Sequence, residues 1–171
     1  MKVLRYLVFF LIICASGSAY ASLKLNVGGG AFFPTGDLDY DTGLSLTCGA
    51  MFSLESKYNF STGFQLNYAI ADHEDTSGQS IEIFKISQFL RHEMGKGLFI
   101  KGGFSIFRVK IDTSSSNSTA FEPGISIGAG GSLMDRYELT VMYNVMTDNN
   151  NGDSSPDYGD NYWTVTLAVL Y

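Results

Sequence analysis

The stretch Tyr162–Tyr171, YWTVTLAVLY, decides the fold. Large apolar and aromatic side chains occupy every second position of it, and threonine or alanine fills most of the positions between them. Side chains at a period of two point alternately to the two faces of a strand, so this pattern predicts a strand with one apolar face and one face of small polar residues. The apolar face carries Trp163, Val165, Leu167, Val169 and Tyr171.

The same alternation recurs upstream, and from Ser22 onward no stretch of useful length has a helical period. Turn-rich connections separate the alternating segments, and these connections are alternately short and long, as in an up-and-down sheet. The expected strands are Leu23–Phe33, Gly43–Leu54, Tyr58–Ala71, Gln79–His92, Leu98–Ile111, Phe121–Leu133, Tyr137–Val145 and Tyr162–Tyr171.

The fourth segment is the ambiguous one. Ile81 and Ile83 have one parity, whereas Phe84, Ile86 and Leu90 have the other. A β-bulge inserts one extra residue and reverses the parity that follows it. We therefore expect a bulge near Ile83 or Phe84.

Composition excludes several classes of protein. Charged residues make up 16% of the chain, against roughly 25% in soluble domains. Aromatic residues at 14%, together with 19 glycines and 3 prolines, favour strands and tight turns. A mean hydropathy of +0.07 is too low for a bundle of membrane helices. The net charge of −6 does not favour binding to nucleic acid.

Residues 1–21 have the features of a cleaved secretory signal peptide. Lys2 and Arg5 form a basic start, Leu7–Ala15 is an almost unbroken apolar run, and Ala19-Tyr20-Ala21 is a small-x-small cleavage site. The mature domain is then 22–171. Cys48 becomes the only cysteine of the exported chain, so no intramolecular disulfide is expected.

The polar faces of the strands indicate what surrounds the sheet. They consist mostly of Gly, Ser, Thr and Asn, which are too small and too uncharged for a water-exposed exterior. Lipid offers no partner to backbone groups, so a sheet with its apolar face in lipid must close on itself. We therefore predict an all-β, eight-stranded antiparallel up-and-down transmembrane β-barrel. Its interfacial aromatic girdles would comprise Phe33, Tyr58, Tyr68, Phe89, Phe121, Tyr137, Tyr143, Trp163 and Tyr171.

The connections predict the orientation. The longer ones contain acidic residues and no Lys or Arg, and they are Pro34–Thr42, Asp72–Gly78, Asp112–Thr119 and Met146–Asn161. Long loops of such barrels face the outside, and short turns face the periplasm. Both termini are accordingly expected in the periplasm, with the protein in the cell outer membrane.

The exported start, the first-strand piece Gly28–Leu38, GGGAFFPTGDL, and the final alternating strand resemble the outer-membrane-protein β-barrel domain family, of the OmpA-transmembrane or OmpX kind. The resemblance implies a non-enzymatic, monomeric integral protein that contributes to envelope integrity or surface contact. It also implies that the final strand, with Trp163, Val165, Leu167, Val169 and Tyr171, is the signal read by barrel-assembly machinery. Expected partners are outer-membrane lipid, lipopolysaccharide and that machinery; no nucleic acid or cofactor is expected.

Charged residues of inward parity are expected to form ion pairs across the lumen, because an unpaired charge in a confined interior is costly. These residues are Lys24, Glu82, Lys101, Glu122 and Glu138. Such pairs would block conduction as a plug. The alternative is a gate that opens a narrow pore.

Two other function classes stay open. A lipid-A-modifying enzyme of the outer membrane would use His73, which lies next to Glu74, Asp75 and Ser77, whereas His92 falls at the periplasmic end. A soluble periplasmic, lipocalin-like ligand binder would require the two faces to be reversed.

Two motifs are better explained without chemistry. Gly124–Gly128 spells G-x-S-x-G, but it continues the alternation of a strand and lacks the strand-turn-helix context of a nucleophile elbow. Asp37, Asp39 and Asp41 are spaced like a calcium loop whose twelfth position is Cys48 instead of Glu. No catalytic or metal site is therefore predicted, although the acidic loops could share divalent cations with lipopolysaccharide phosphates.

Overall fold

The computed structural model describes residues 23–35, 40–54, 59–73, 78–112, 117–147 and 161–171. The expected signal segment, 1–21, lies outside these residues, as do Tyr58, Asp37 and Asp39. The strands are β1 (Leu23–Thr35), β2 (Gly43–Ser53), β3 (Phe60–Asp72), β4 (Ser80–Gly95), β5 (Leu98–Asp112), β6 (Asn117–Leu133), β7 (Tyr137–Met146) and β8 (Asn161–Leu170).

The strands form one closed barrel in chain order, and every neighbouring pair is antiparallel. The first strand pairs with the last over Asn26–Thr35 and Asn161–Leu170, which leaves the sheet without an edge. Tyr171 extends this seam, since its backbone N–H donates to the Leu25 carbonyl at 2.8 Å and its own carbonyl accepts from the Leu25 N–H at 3.0 Å. The predicted eight-stranded antiparallel β-barrel is confirmed.

The two ends of the barrel differ. One end, the turn end, carries the connections after β2, β4 and β6; the other, the loop end, carries the connections after β1, β3, β5 and β7. Between β4 and β5 the turn residues Lys96 and Gly97 both have positive φ, 54° and 76°. This is the backbone of a tight hairpin turn whose twist matches the strands, and it explains why a glycine occupies its second position.

Strand β4 corrects one prediction. Its pairing with β3 is continuous from Ser80 to His92, so the bulge expected near Ile83 or Phe84 does not exist. The only register shift with β5 falls between Glu93 and Gly95, at the turn. Ile81 and Ile83 are buried inside the barrel and Phe84 points outward, all in one uninterrupted alternation. The parity conflict arose because apolar residues face both ways at the loop end.

The outer wall is apolar on every strand. Exposed leucine, isoleucine, valine and aromatic side chains alternate with buried ones all the way round, from Leu25 on β1 to Leu167 on β8. Some of these side chains are largely exposed, and the exposed fraction is 72% for Leu44 and 78% for Phe104. A belt of this kind excludes a water-facing exterior on physical grounds.

The girdle prediction needs one correction. The side chains of Phe33, Tyr68, Phe121, Tyr137, Trp163 and Tyr171 are exposed on the wall, and Tyr143 is half-buried there with its ring 4.6 Å from that of Trp163. Phe89, in contrast, is 4% exposed and lies inside the barrel. Because Leu90 points outward, its neighbour Phe89 must point inward.

Two adjacent glycines on β5 test this assignment of faces. A Cβ at inward-facing Gly103 would overlap the carbonyl oxygen of Gln88, whereas at outward-facing Gly102 it would meet its nearest atom, the Ser126 carbonyl oxygen, at 3.6 Å. We expect Gly103→Ala to lower the free energy of unfolding by about 1–3 kcal/mol, the usual cost of overpacking. Gly102→Ala should be neutral or slightly stabilising. Urea unfolding in detergent micelles measures both, and equal effects would contradict the assignment.

Candidate functional site

The barrel interior is the first candidate site, and its loop end is filled by an apolar cluster. The Tyr162 ring lies at its centre, with ring centroids 5.0 Å from Phe32 and 6.0 Å from Phe107. The cluster as a whole contains Phe32, Tyr40, Ala69, Ala71, Ile81, Ile83, Phe107, Val109, Met146 and Tyr162. These side chains close the lumen at this end, where the sequence predicted small polar residues.

Below this cluster, a polar network crosses the barrel from β4 to β7. The Lys85 ammonium donates to Oδ1 of Asn144 at 2.7 Å, and the Ser126 hydroxyl donates to the same oxygen at 2.7 Å. Ser105 lies 2.9 Å from both Ser126 and Ser87, which extends the chain of hydroxyls back to β4. The buried ammonium thus donates to a neutral amide oxygen, and the serine of the G-x-S-x-G stretch donates to the same oxygen.

Lys101 continues the polar layer toward the turn end. Its ammonium donates to Oε1 of Gln65 and lies 3.8 Å from the centre of the Phe89 ring. Gln65 in turn donates to the Thr47 hydroxyl. The aromatic face and the amide oxygen together replace the water that a buried ammonium loses.

A buried ion pair closes the turn end. Arg91 and Glu138 form a salt bridge, with their side chains only 3% and 6% exposed. The Arg91 guanidinium stacks 3.7 Å from the centre of the Phe99 ring and donates to the Ser132 hydroxyl at 3.2 Å. A second carboxylate, that of Glu93, lies 3.4 Å away but is about half exposed.

The five charged residues assigned to the lumen have different positions. Lys101 and Glu138 are buried in the interior, but Glu138 pairs with Arg91 instead of Lys101. Lys24 is exposed at the turn end, and Glu122 is half-buried on the loop-end half of β6. Glu82 is on the outer wall, which corrects its assignment to the lumen.

Glu82 faces outward because β4 contains no bulge between Glu82 and Phe84, so the two residues share one face. Its carboxylate lies 3.5 Å from the Lys110 ammonium, which also pairs with Asp112. All three side chains are at the loop end of the wall. They mark the level at which the wall becomes polar.

Sequence reasoning missed two buried cations of the interior, Lys85 and Arg91. The signal was present, since the alternation that sends Phe84, Ile86 and Leu90 outward sends both cations inward. With Lys101, three buried cations face one buried carboxylate, Glu138, within the described part of the interior.

The histidines weighed for catalysis make aromatic contacts. The His73 ring lies 5.2 Å from that of Tyr40 at the loop end, and the His92 ring lies 4.7 Å from that of Phe60 on the wall. Residues 74–77, and with them Glu74, Asp75 and Ser77, lie outside the described residues, as do 148–153. Among the residues described, no three metal-ligating side chains come together. No helix in the same ranges is long and apolar enough to cross a membrane.

Comparisons with solved structures identify the fold. Neisserial surface protein A is 14% identical, with a TM-score of 0.59 over 88% of this chain and 97% of that one. Ail, the attachment invasion locus protein of Yersinia pestis, solved in complex with the heparin analogue sucrose octasulfate, is 8% identical, with a TM-score of 0.56 over 88% of this chain and 99% of that one. A second Ail structure gives a TM-score of 0.52 at 9% identity, over 87% and 97%. No family model matches the sequence, and no curated protein does. The chain therefore has the fold of the small eight-stranded outer-membrane β-barrels.

The buried ion pair supports a direct test. Glu138→Gln leaves the buried guanidinium without a buried charge partner, so we expect the free energy of unfolding to fall by about 3–5 kcal/mol. Glu93→Gln is the matched control, because that half-exposed carboxylate should contribute less than about 1 kcal/mol. Urea unfolding of both variants in micelles decides the matter, and a loss of equal size at the two positions would show that burial of the pair is unimportant.

Proposed function

We propose that the protein is a non-enzymatic integral protein of the cell outer membrane, with a structural role in the envelope or a role in surface contact. One observation carries the proposal: a closed barrel with an apolar belt outside and a filled, partly charged interior. In water the belt would be exposed, and in lipid it is solvated. Because the closed sheet pairs its backbone groups internally, it also meets the demand of the hydrocarbon core.

The side chains inside the barrel argue against the two non-enzymatic alternatives, a soluble ligand binder and a pore. A soluble barrel that carries an apolar ligand needs an apolar, open cavity, but this interior contains Arg91, Lys101 and Glu138. A pore needs a continuous path, but the Tyr162 cluster fills one end and the Arg91–Glu138 pair fills the other. Eight strands leave an interior just wide enough for side chains. These features favour a plug over a conducting pore.

We assign the turn end to the periplasm and the loop end to the cell exterior. Leu23 and Tyr171 then both lie on the periplasmic side, where a cleaved signal peptide would deliver the chain. The final strand, from Trp163 to Tyr171, would be the segment that barrel-assembly machinery reads. Its pairing with β1 supports this role, because that pairing completes the barrel. Outer-membrane lipid and lipopolysaccharide would surround a monomer.

The membrane assignment is tested in a Cys48→Ser background with one new cysteine at Leu167 or at Ser126. A nitroxide at 167 should be reached by oxygen dissolved in lipid, whereas one at 126 should be shielded inside the barrel. Power-saturation spectroscopy in liposomes measures both accessibilities. The folded protein should also require detergent for extraction and migrate differently on gels when unboiled. Extraction without detergent, with 167 enclosed and 126 peripheral, would reverse the faces.

The acidic loops give the proposal a surface chemistry. Ail was solved with a polyanion bound, but the long connections of this chain have acids and no Lys or Arg, which favours cations instead. We propose that the loops share divalent cations with lipopolysaccharide phosphates, since Mg²⁺ prefers carboxylate and phosphate oxygens.

Replacing Asp37, Asp39 and Asp41 together by asparagine should reduce the Mg²⁺-dependent part of outer-membrane resistance to detergent. Asp135→Asn, at the opposite end of the barrel, is the control and should leave that resistance unchanged. Detergent sensitivity of cells with and without added Mg²⁺ is the measurement. If the triple variant weakens the membrane equally at all Mg²⁺ concentrations, cation sharing is wrong.

A further inference from the structure

A groove of about 680 Å³ runs along the outer wall of the barrel. Its floor is the wall around Gly102 on β5 and Ala129 on β6, the two smallest outward residues at this level. Larger outward side chains rise on both sides. The groove is bordered by Phe60, Leu90, His92, Ile127, Tyr143 and Trp163.

Packing inside the barrel does not explain why position 102 is a glycine. The inward glycines of β6 are needed inside, since a Cβ at Gly124 or Gly130 would press against the ring of Phe107 or Phe99. At Gly102, in contrast, the atoms nearest to an added Cβ are the Ser126 carbonyl oxygen at 3.6 Å and Ile127 Cγ1 at 4.0 Å. A Cβ would therefore fit there without distorting the barrel. Because position 102 has no side chain, the outer wall has a depression at this point.

The groove lies within the apolar belt and crosses the strands from β4 to β8. Leu90, Gly102, Ile127, Tyr143 and Trp163 are consecutive partners in the register of these strands. Neighbouring strands are about 4.8 Å apart, so four steps span about 19 Å. One leaflet contributes about 15 Å to a hydrocarbon core of about 30 Å. The groove thus has the length of one acyl chain.

We propose that this groove binds one acyl chain of a membrane lipid, with the lipid headgroup at the His92 end and the chain running toward Trp163. The inference rests on the membrane location proposed above. His92 is near the turn end of β4, so the headgroup would belong to the leaflet at that end. The bordering side chains are apolar or aromatic. An ordered acyl chain makes van der Waals contacts with them that would be lost if the groove were empty.

The shape of the groove favours a chain over a second copy of the protein. A second barrel would present a convex wall, and a convex wall cannot fill a groove that has larger side chains on both sides. A single flexible hydrocarbon chain can do so. Dimerisation is therefore an opposing outcome of the test.

Trp163 makes the test direct, because it is the only tryptophan of the chain and borders the groove. The folded protein in micelles is titrated with phosphatidylethanolamine that carries a dibrominated acyl chain, a quencher of tryptophan fluorescence. We expect quenching that saturates at one lipid per protein. Gly102→Leu should weaken the apparent affinity at least about tenfold, a factor that corresponds to about 1.4 kcal/mol.

Gly29→Leu is the matched control. Gly29 also faces outward, from β1, and an added Cβ there meets Leu46 Cδ2 and the Ser45 carbonyl oxygen at an ordinary 3.5 Å. This variant should keep the wild-type titration. Heat-modifiable migration checks the fold of each variant, and Ala129→Leu replaces Gly102→Leu if the latter does not fold.

Native mass spectrometry with the same lipid should show one retained molecule on the wild type and on Gly29→Leu, and fewer on the groove variant. Quenching that rises linearly with lipid and is equal in all three proteins would overturn the proposal, as would a dimer that excludes the lipid. Those results, from a barrel that folds in micelles, would leave the membrane location intact. A protein that is soluble without detergent would remove both proposals.

Discussion

The structure depends on one constraint, that a sheet in hydrocarbon cannot leave backbone N–H or C=O groups unpaired. The first strand must therefore reach the last. Strand β1 is suited to this seam, because a Cβ at Gly28 or Gly30 would overlap the carbonyl oxygen of Leu167 or Val165 on β8. Glycine costs a strand conformational entropy, and here it permits the close approach that closes the barrel.

Closure creates the second problem, a narrow interior that must be filled and satisfied. The chain solves it in layers. Rings around Tyr162 fill the loop end, whereas Lys85 and Lys101 are held by amide oxygens and an aromatic face. Only Arg91 has a buried carboxylate partner, Glu138, among the described residues. Since buried cations are stabilised by partners with fixed positions, these layers also favour one arrangement of the interior.

Alternation alone predicted the number of strands, their order and most of their bounds to within two residues, because only one face of a lipid-facing sheet is apolar over most of its length. It failed where that condition fails. Ile81 and Ile83 are apolar but face inward, toward the apolar cluster, so hydrophobicity there does not report the face. Phe89 was misassigned for a similar reason, because an aromatic ring that faces a buried Lys101 resembles a girdle residue in sequence. The partners in the lumen depend on register across strands, which no local pattern contains.

Register also explains why the two faces of β5 and β6 cannot be understood separately. Gly103, Gly124 and Gly130 face the interior, where a carbonyl oxygen or an aromatic ring occupies the space that a side chain would need. Gly102 faces outward, and the space beyond it is open. At this level the wall has glycines on its inner face, where packing requires them, and a glycine on its outer face as well. This part of the wall therefore differs from the rest of the belt, where Leu44 and Phe104 project into the surroundings. Lipid beside such a wall is in contact with a shaped surface, so the outer face of a barrel can have specificity as well as hydrophobicity.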